Sequence, residues 1–538
     1  MESLDLKHKK ALVVDDFANV RQSITAMLED LGFVTVHEAS DGDSATKLVR
    51  ESKYDLVLCD FNLGLGRDGM RLLEEWRHLK LMPEDTIFVL ITGETSRSVV
   101  ISAIEFQPDD YLAKPFTLDV LSVRLGRWFE RRKVLLPMLV SIDKKDWKAV
   151  ANTAKSIDES YPRYRSTAQK HYVEALIRQK KMAEAETFLF DVLEKRYQCW
   201  AQTALHRIEL LQKKLETAEI GLKAVLELDP NELIAYDYLV DSLVQQEKDE
   251  EAQTWLEEVI SRAPRSIDRQ LKLVKVAQTN LNFRRANQAQ KDILNLATDT
   301  MHESVGLFQN YIKNLKDEAL SSDNTRKRDI EKEIVFTAKR MQQSFAADFN
   351  AELFTRGVEI QDAKDVPAIK TTQDLDELYN DIINAVDRLI PETALFMAEL
   401  YYGQERFNDA DEMVRAFKSG FSDQPEFIKT LDDLQAEPIS LILRSEAKVL
   451  NGQGMELYDQ EKYPESVRFF EKALKVSPRH PGIVLNFVQA HLHMMEARGK
   501  NDQTTAMCLE TISRLFYLSE EHYQYPRYKK LLDNVEKL

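Results

Sequence analysis

The sequence predicts an α/β domain, a five-stranded parallel sheet doubly wound by helices, followed by a long all-α helical repeat. Three observations carry this reading. Strand-length apolar runs alternate with amphipathic helical stretches up to about residue 132; the strand pattern then stops; and small residues recur beyond it every 33 or 34 positions.

The strand-length runs are Ala11–Val14, Val34–Val36, Leu56–Cys59, Ile87–Ile91 and Tyr111–Ala113. Between and after them lie helical stretches at Ala18–Leu31, Asp41–Ser52, Asp68–Leu79, Ser96–Glu105 and Leu118–Arg132. Strands that each lead into a helix require parallel pairing with crossovers, which places helices on both faces of the sheet. In such sheets chemistry gathers beyond the carboxyl ends of the strands.

From residue 133 the chain reads as helix after helix. Ala151, Ala185, Ala218, Ala252 and Ala286 are spaced 34, 33, 34 and 34 apart. Pro162, Pro230 and Pro264 fall on the same period, and Gly454, Leu457, Ser466, Phe470, Ala473 and Pro478 form a further unit. Another surrounds Ala398, Tyr401 and Ala410. Small residues let two antiparallel helices approach, and a large apolar residue fills the space beside them. This pattern resembles the tetratricopeptide repeat (TPR), and the resemblance implies a TPR-like solenoid of stacked helix pairs. The expected domains are 1–132, repeats over 133–299, an irregular helical segment or spacer over 300–380, and repeats over 381–538 ending in a capping helix. The charged segment Lys316–Lys332 falls within the spacer.

Each strand end contributes a polar group: Asp15 and Asp16 after the first, Asp60 after the third, Thr92 after the fourth, and Lys114–Pro115 after the fifth. Singly these are ordinary caps, turns and surface residues. Together, three carboxylates, a hydroxyl and an ammonium at one sheet edge form a site. The set resembles the receiver (CheY-like) domain of two-component response regulators. The resemblance implies that Asp60 is the phosphoacceptor, taking its phosphoryl group from a sensor histidine kinase or phosphotransfer protein. It implies that Asp16, Asp60 and the carbonyl of Asn62 hold Mg²⁺, with Asp15 supporting the ion through water. Clustered carboxylates repel one another, and a hard, oxygen-seeking cation relieves that conflict. Lys114 and Thr92 are then expected to bind phosphoryl oxygens, Pro115 to follow a cis bond, and Tyr111 to act as the switch aromatic. Polar Asn62 and Glu94 imply a short-lived phosphoryl group. One departure from the family stands out: Leu63–Gly69 is a residue longer than usual and lacks proline.

Other patterns carry less. Glu-Ala-Leu occurs at 174–176 and 318–320, within helices and without the further carboxylates a metal-dependent phosphodiesterase needs. His491 and His493 lie on opposite sides of a helix and do not suit one metal. The aromatic tail Phe516–Tyr528 reads as packing. No phosphate-binding GxxxxGK[ST] loop is present, and no enzyme activity is expected beyond the phosphoacceptor site.

The net charge of −17 disfavours nucleic-acid backbones. No stretch has the length and apolarity to enter a bilayer, and three scattered cysteines fit a reducing compartment, so a cytoplasmic protein is expected. The resulting reading is a phosphorelay response regulator whose repeats bind a protein partner, as adaptor or inhibitor, with homo-oligomerisation possible. The alternatives are a DNA-binding transcription regulator and a phosphate sink competing with another response regulator.

Overall fold

The computed structural model describes residues 5–64, 68–93, 108–298, 300, 302–362, 368–404, 406–436, 441–499, 501–518 and 522–537. The expected helix Ser96–Glu105 and residue Glu94 lie outside these. The chain forms two compact units, residues 1–280 with 292–303, and residues 281–291 with 304–538.

In the first unit, strands β1 (Lys10–Val14), β2 (Thr35–Ala39), β3 (Leu56–Asp60), β4 (Ile87–Thr92) and β5 (Asp110–Ala113) form one sheet in the order β2-β1-β3-β4-β5. All four pairings are parallel, with Val14 beside Cys59 and Asp60 beside Ile91. The runs are apolar at nearly every position because both faces are covered. Leu12, Val14, Val57, Cys59, Phe88 and Leu90 pack on one side, with α2 (Gly42–Glu51) and α3 (Gly69–His78). Ala11, Val13, Leu56, Leu58, Val89 and Ile91 pack on the other. There they meet α1 (Ala18–Asp30) and α4 (Leu118–Asp143). The carboxylates of Asp41 and Asp68 and the hydroxyl of Thr117 each accept a backbone N–H at the start of α2, α3 and α4.

Helix α4 continues past Arg132 to Asp143, with Pro137 inside it. After it come α5 (Trp147–Ser160), α6 (Arg165–Arg178), α7 (Met182–Lys195), α8 (Cys199–Leu211) and α9 (Leu215–Leu228). Then follow α10 (Leu233–Gln245), α11 (Asp249–Arg262), α12 (Ile267–Thr279) and α13 (Phe283–Ala297). The register alanines Ala151, Ala185, Ala218, Ala252 and Ala286 are all buried, at 8% exposure or less. The turns repeat as well. Lys145, Lys180, Lys213, Glu247 and Leu281 each adopt a left-handed φ, between 55° and 64°, in the short turn between two helices. At Lys180, for example, the Lys181 N–H donates to the Leu176 carbonyl and the Lys180 N–H to the Ile177 carbonyl. This is the Schellman closure of a helix C-terminus.

In the second unit, α14 (Val305–Ser321), α15 (Asn324–Ser344) and α16 (Phe349–Asp362) are regular helices, α15 having 21 residues. They are followed by α17 (Ala368–Ile383), α18 (Pro391–Gly403), α19 (Phe407–Gly420) and α20 (Pro425–Ala436). Contacts here reach further along the chain: Gln309 donates to the Thr393 hydroxyl at 2.9 Å, and Phe354 stacks on Phe396 at 4.0 Å. The last helices are α21 (Leu441–Asp459), α22 (Tyr463–Val476), α23 (Pro481–Arg498), α24 (Asp502–Ser513) and α25 (Tyr525–Glu536). A side chain at Gly454 would lie 2.5 Å from the Phe470 ring, so the close helix contact there requires glycine. Among the described residues, no helix is long and apolar enough to cross a membrane.

Candidate functional site: an acidic pocket at the sheet edge

The pocket forms where β1, β3, β4 and β5 end side by side. Asp15 follows β1 and is fully buried. Its Oδ1 accepts the Phe17 N–H at 2.9 Å, and its carbonyl accepts the Arg21 guanidinium at 2.6 Å. Asp16 is exposed, and Asp60 closes β3 at 6% exposure. One carboxylate oxygen from each of Asp15, Asp16 and Asp60 lies within 4.8 Å of the others. Among the described residues, this is the group of metal-ligating side chains that could hold an ion.

Lys114 enters from the end of β5, following which the Lys114–Pro115 bond is cis. Its Nζ lies 2.6 Å from Asp15 Oδ2 and 3.0 Å from Asp60 Oδ2. Burial pushes the Asp60 carboxyl above its ordinary range despite the opposing Lys114 charge. Burial also works against the Lys114 charge, but the hydrogen bonds to Asp15 and Asp60 outweigh it and hold this ammonium above its usual value. The Thr92 carbonyl accepts the Lys114 backbone N–H at 2.8 Å, which ties the two strand ends together, and Thr92 is itself buried. The Asn62 side chain accepts the Gly64 N–H at 3.1 Å and shapes the loop beside Asp60. Tyr111 packs against the α2–α3 side of the core, and its hydroxyl has no hydrogen-bond partner among the described residues.

The start of α3 presses directly on the pocket. A Cβ at Gly69 would lie 2.3 Å from the Asp60 carbonyl oxygen, so only glycine fits. The Asp–Gly pair at 68–69 is thus built in: Asp68 caps α3 and Gly69 lets it approach Asp60. Sequence reasoning missed Arg21, whose guanidinium steadies the Asp15 backbone and pairs with Glu38 at 3.1 Å. It also missed Arg265, 197 positions from its partner Asp68. No local pattern marks either residue. His491 is buried beside Phe487, while His493 stacks on Tyr463.

A doubly wound parallel sheet whose carboxyl edge gathers three aspartates and a paired lysine defines a class of α/β signalling domain. Residues 11–125 match the family described as response regulator receiver domain, and the chain belongs to that family through this domain. It is 35% identical over 137 residues to the chemotaxis protein CheY-3 of Vibrio cholerae, covering 99% of that protein and 24% of this chain. It is 35% identical over 124 residues to the chemotaxis protein CheY of Pseudomonas aeruginosa, covering 97% of that protein and 23% of this chain. Among solved structures, NtrX of Brucella abortus is 32% identical, with a TM-score of 0.22. That match covers 23% of this chain and 28% of the NtrX chain, so this chain spans just over a quarter of that protein's length.

Proposed function

We propose that the chain is a phosphorelay response regulator in which Asp60 accepts a phosphoryl group and the helical region serves as a TPR-like scaffold for a protein partner. The observation that carries this reading is the convergence of Asp15, Asp16 and Asp60 within 4.8 Å, with Lys114 bonded to two of them. An all-oxygen donor set of this kind fits a hard divalent cation such as Mg²⁺. Asp16, Asp60 and the Asn62 carbonyl would hold the ion, with Asp15 acting through water. When bound, Mg²⁺ supplies neutralising charge for the phosphoryl oxygens.

A carboxylate oxygen of Asp60 attacks phosphorus on a phosphohistidine donor. The new O–P bond forms as the N–P bond breaks, and the leaving imidazole keeps the electron pair and takes up a proton. Lys114, already placed against Asp60, binds a phosphoryl oxygen, and the Thr92 hydroxyl bonds another. Rotation of Tyr111, whose hydroxyl lacks a partner among the described residues, reports the change at the surface. The donor is a sensor histidine kinase or phosphotransfer protein, the setting is cytoplasmic, and the scaffold acts by binding rather than by catalysis.

The experiment is phosphoryl uptake by the full chain from radiolabelled acetyl phosphate with Mg²⁺. Label that is released by base and by hydroxylamine, as from an acyl phosphate, is expected in the wild type and absent from Asp60→Asn. Equal labelling of both would overturn the assignment.

A further inference from the structure

Within the first compact unit, the β3–α3 face of the receiver domain is held by four contacts from the helical region. Arg265, in the turn between α11 and α12, places Nη1 2.6 Å from Asp68 Oδ2, and its guanidinium lies 5.1 Å from the centre of the Phe61 ring. Arg71 donates to the Thr298 carbonyl at 3.2 Å. His302 lies 3.0 Å from Glu74. The segment bearing these last partners is shaped from within: the Thr300 hydroxyl donates to the Ala297 carbonyl and accepts the His302 N–H. Two stretches of the helical region, at Arg265 and at Thr298–His302, therefore converge on one face of α3 and on the strand end that carries Asp60.

Arg265 grips both ends of a single loop. Phe61 follows Asp60, Asp68 precedes α3, and the Gly69 N–H closes the loop on the Phe61 carbonyl at 3.1 Å. The loop between them carries Asn62. Because Gly69 leaves no space against the Asp60 carbonyl, a shift at Asp60 reaches Phe61 and Asp68 directly. A phosphoryl group brings about −1.5 to −2 of charge and three oxygens to the start of this loop. Arg265 fits one spacing of Phe61 and Asp68, so a group at Asp60 that needs another loop shape competes with it.

We propose that these contacts form an intramolecular latch, in which the chain's own helical region covers the α3 face, and that phosphorylation of Asp60 releases it. The proposal rests on the phosphoacceptor reading above. Linkage makes it reciprocal: whatever phosphorylation does to the latch, breaking the latch does to phosphoryl binding.

Amide hydrogen exchange on the full chain tests it, with peptides covering 263–268 and 294–304 followed in the wild type, Arg265→Glu and Glu74→Gln. Arg265 is partly exposed in a turn, and Glu74→Gln weakens a second contact by taking away the carboxylate charge that faces His302 without a change of size, so a folding defect in one variant leaves the other informative. Faster exchange of the 294–304 peptides is expected in both variants, and in the wild type on adding beryllofluoride with Mg²⁺. Arg265→Glu is also expected to bind beryllofluoride about 5-fold more tightly or better. Unchanged exchange in both variants would overturn the latch, whether or not Asp60 takes up phosphate. Faster exchange in the variants, with no response to beryllofluoride in a chain that labels on Asp60, would overturn the coupling. If Asp60 takes up no phosphate while the variants still exchange faster, the latch stands as a contact, and the phosphoacceptor reading falls with the proposed release.

Discussion

The sheet domain and the helices that follow it are held together over very different distances along the chain. Lys114 reaches back 99 positions to Asp15, and four strand ends must come together before the pocket exists. In the helices from α5 to α12 the polar contacts keep to one period. Arg207 pairs with Glu174 across 33 positions, Arg269 with Asp237 across 32 and Lys272 with Asp241 across 31. Each helix pair there is tied to the next, as in a structure built by nearest-neighbour stacking. The buried acids differ in the same way. Burial leaves Asp60 raised. Glu219 is also pushed up by burial, but hydrogen bonds from Lys223, Lys248 and Gln246 hold it down at about 2. One region carries strained charge for chemistry, and the other uses paired charge as mortar.

The largest expected effect breaks the sheet side of this comparison. Gly69→Ala forces a methyl group against the Asp60 carbonyl, and we expect a loss of about 3 kcal/mol, the upper end for overpacking, measured by denaturant unfolding of the full chain. Near-UV circular dichroism from Trp76, buried on the inner side of α3, should change with it. On the helical side, Arg269→Leu removes a guanidinium bonded to both oxygens of Asp237. A loss of about 1.5–3 kcal/mol is expected, with exchange increasing mainly in α10 and α12 and the sheet peptides unchanged.

The two acids give opposite pH slopes. An acid raised in the fold contributes stability below its unfolded pKa and loses it as pH rises through the folded one; Asp60 should act this way. Glu219, depressed in the fold, contributes above its ordinary value near 4.5, and that contribution disappears as pH falls toward about 2. Thermal melts from pH 3 to 7 should therefore show Asp60→Asn removing a loss on the alkaline side, and Glu219→Gln removing one on the acid side. The smallest effect concerns the turns. Lys213 sits at φ 64°, and Lys213→Gly should stabilise the helical region by about 0.5–1 kcal/mol. A destabilised variant would mean that the side chain, whose ammonium bonds Gln245, outweighs the backbone strain.

Much of this contrast was legible in the sequence. Strand ends interrupt apolar runs with Asp, Thr and Lys, so Asp15, Asp16, Asp60, Thr92 and Lys114 stood out before any contact was known. β2 was only partly legible: it is an edge strand containing His37 and Glu38, so the apolar run Val34–Val36 marked it too early. The alanine period was legible because close helix contacts tolerate little else. The turns were hidden because Lys, Glu and Leu occupy left-handed positions where glycine is the usual marker. Between residues 300 and about 380 the period was lost for a physical reason. Gln309 there bonds Thr393, 84 positions on, whereas one-period links return further along, as between Tyr458 and Gln489, 31 apart, and Asn451 and Asn486, 35 apart.

The central claim is that the long-range pocket exists to carry a phosphoryl group on Asp60. Its most direct test is borohydride reduction of the acetyl-phosphate-treated chain, which converts an aspartyl phosphate to homoserine, followed by peptide mass mapping. The account expects homoserine at position 60, dependent on Mg²⁺ and lost in Lys114→Ala. Homoserine at another aspartate, or none in a chain that remains folded, would contradict it.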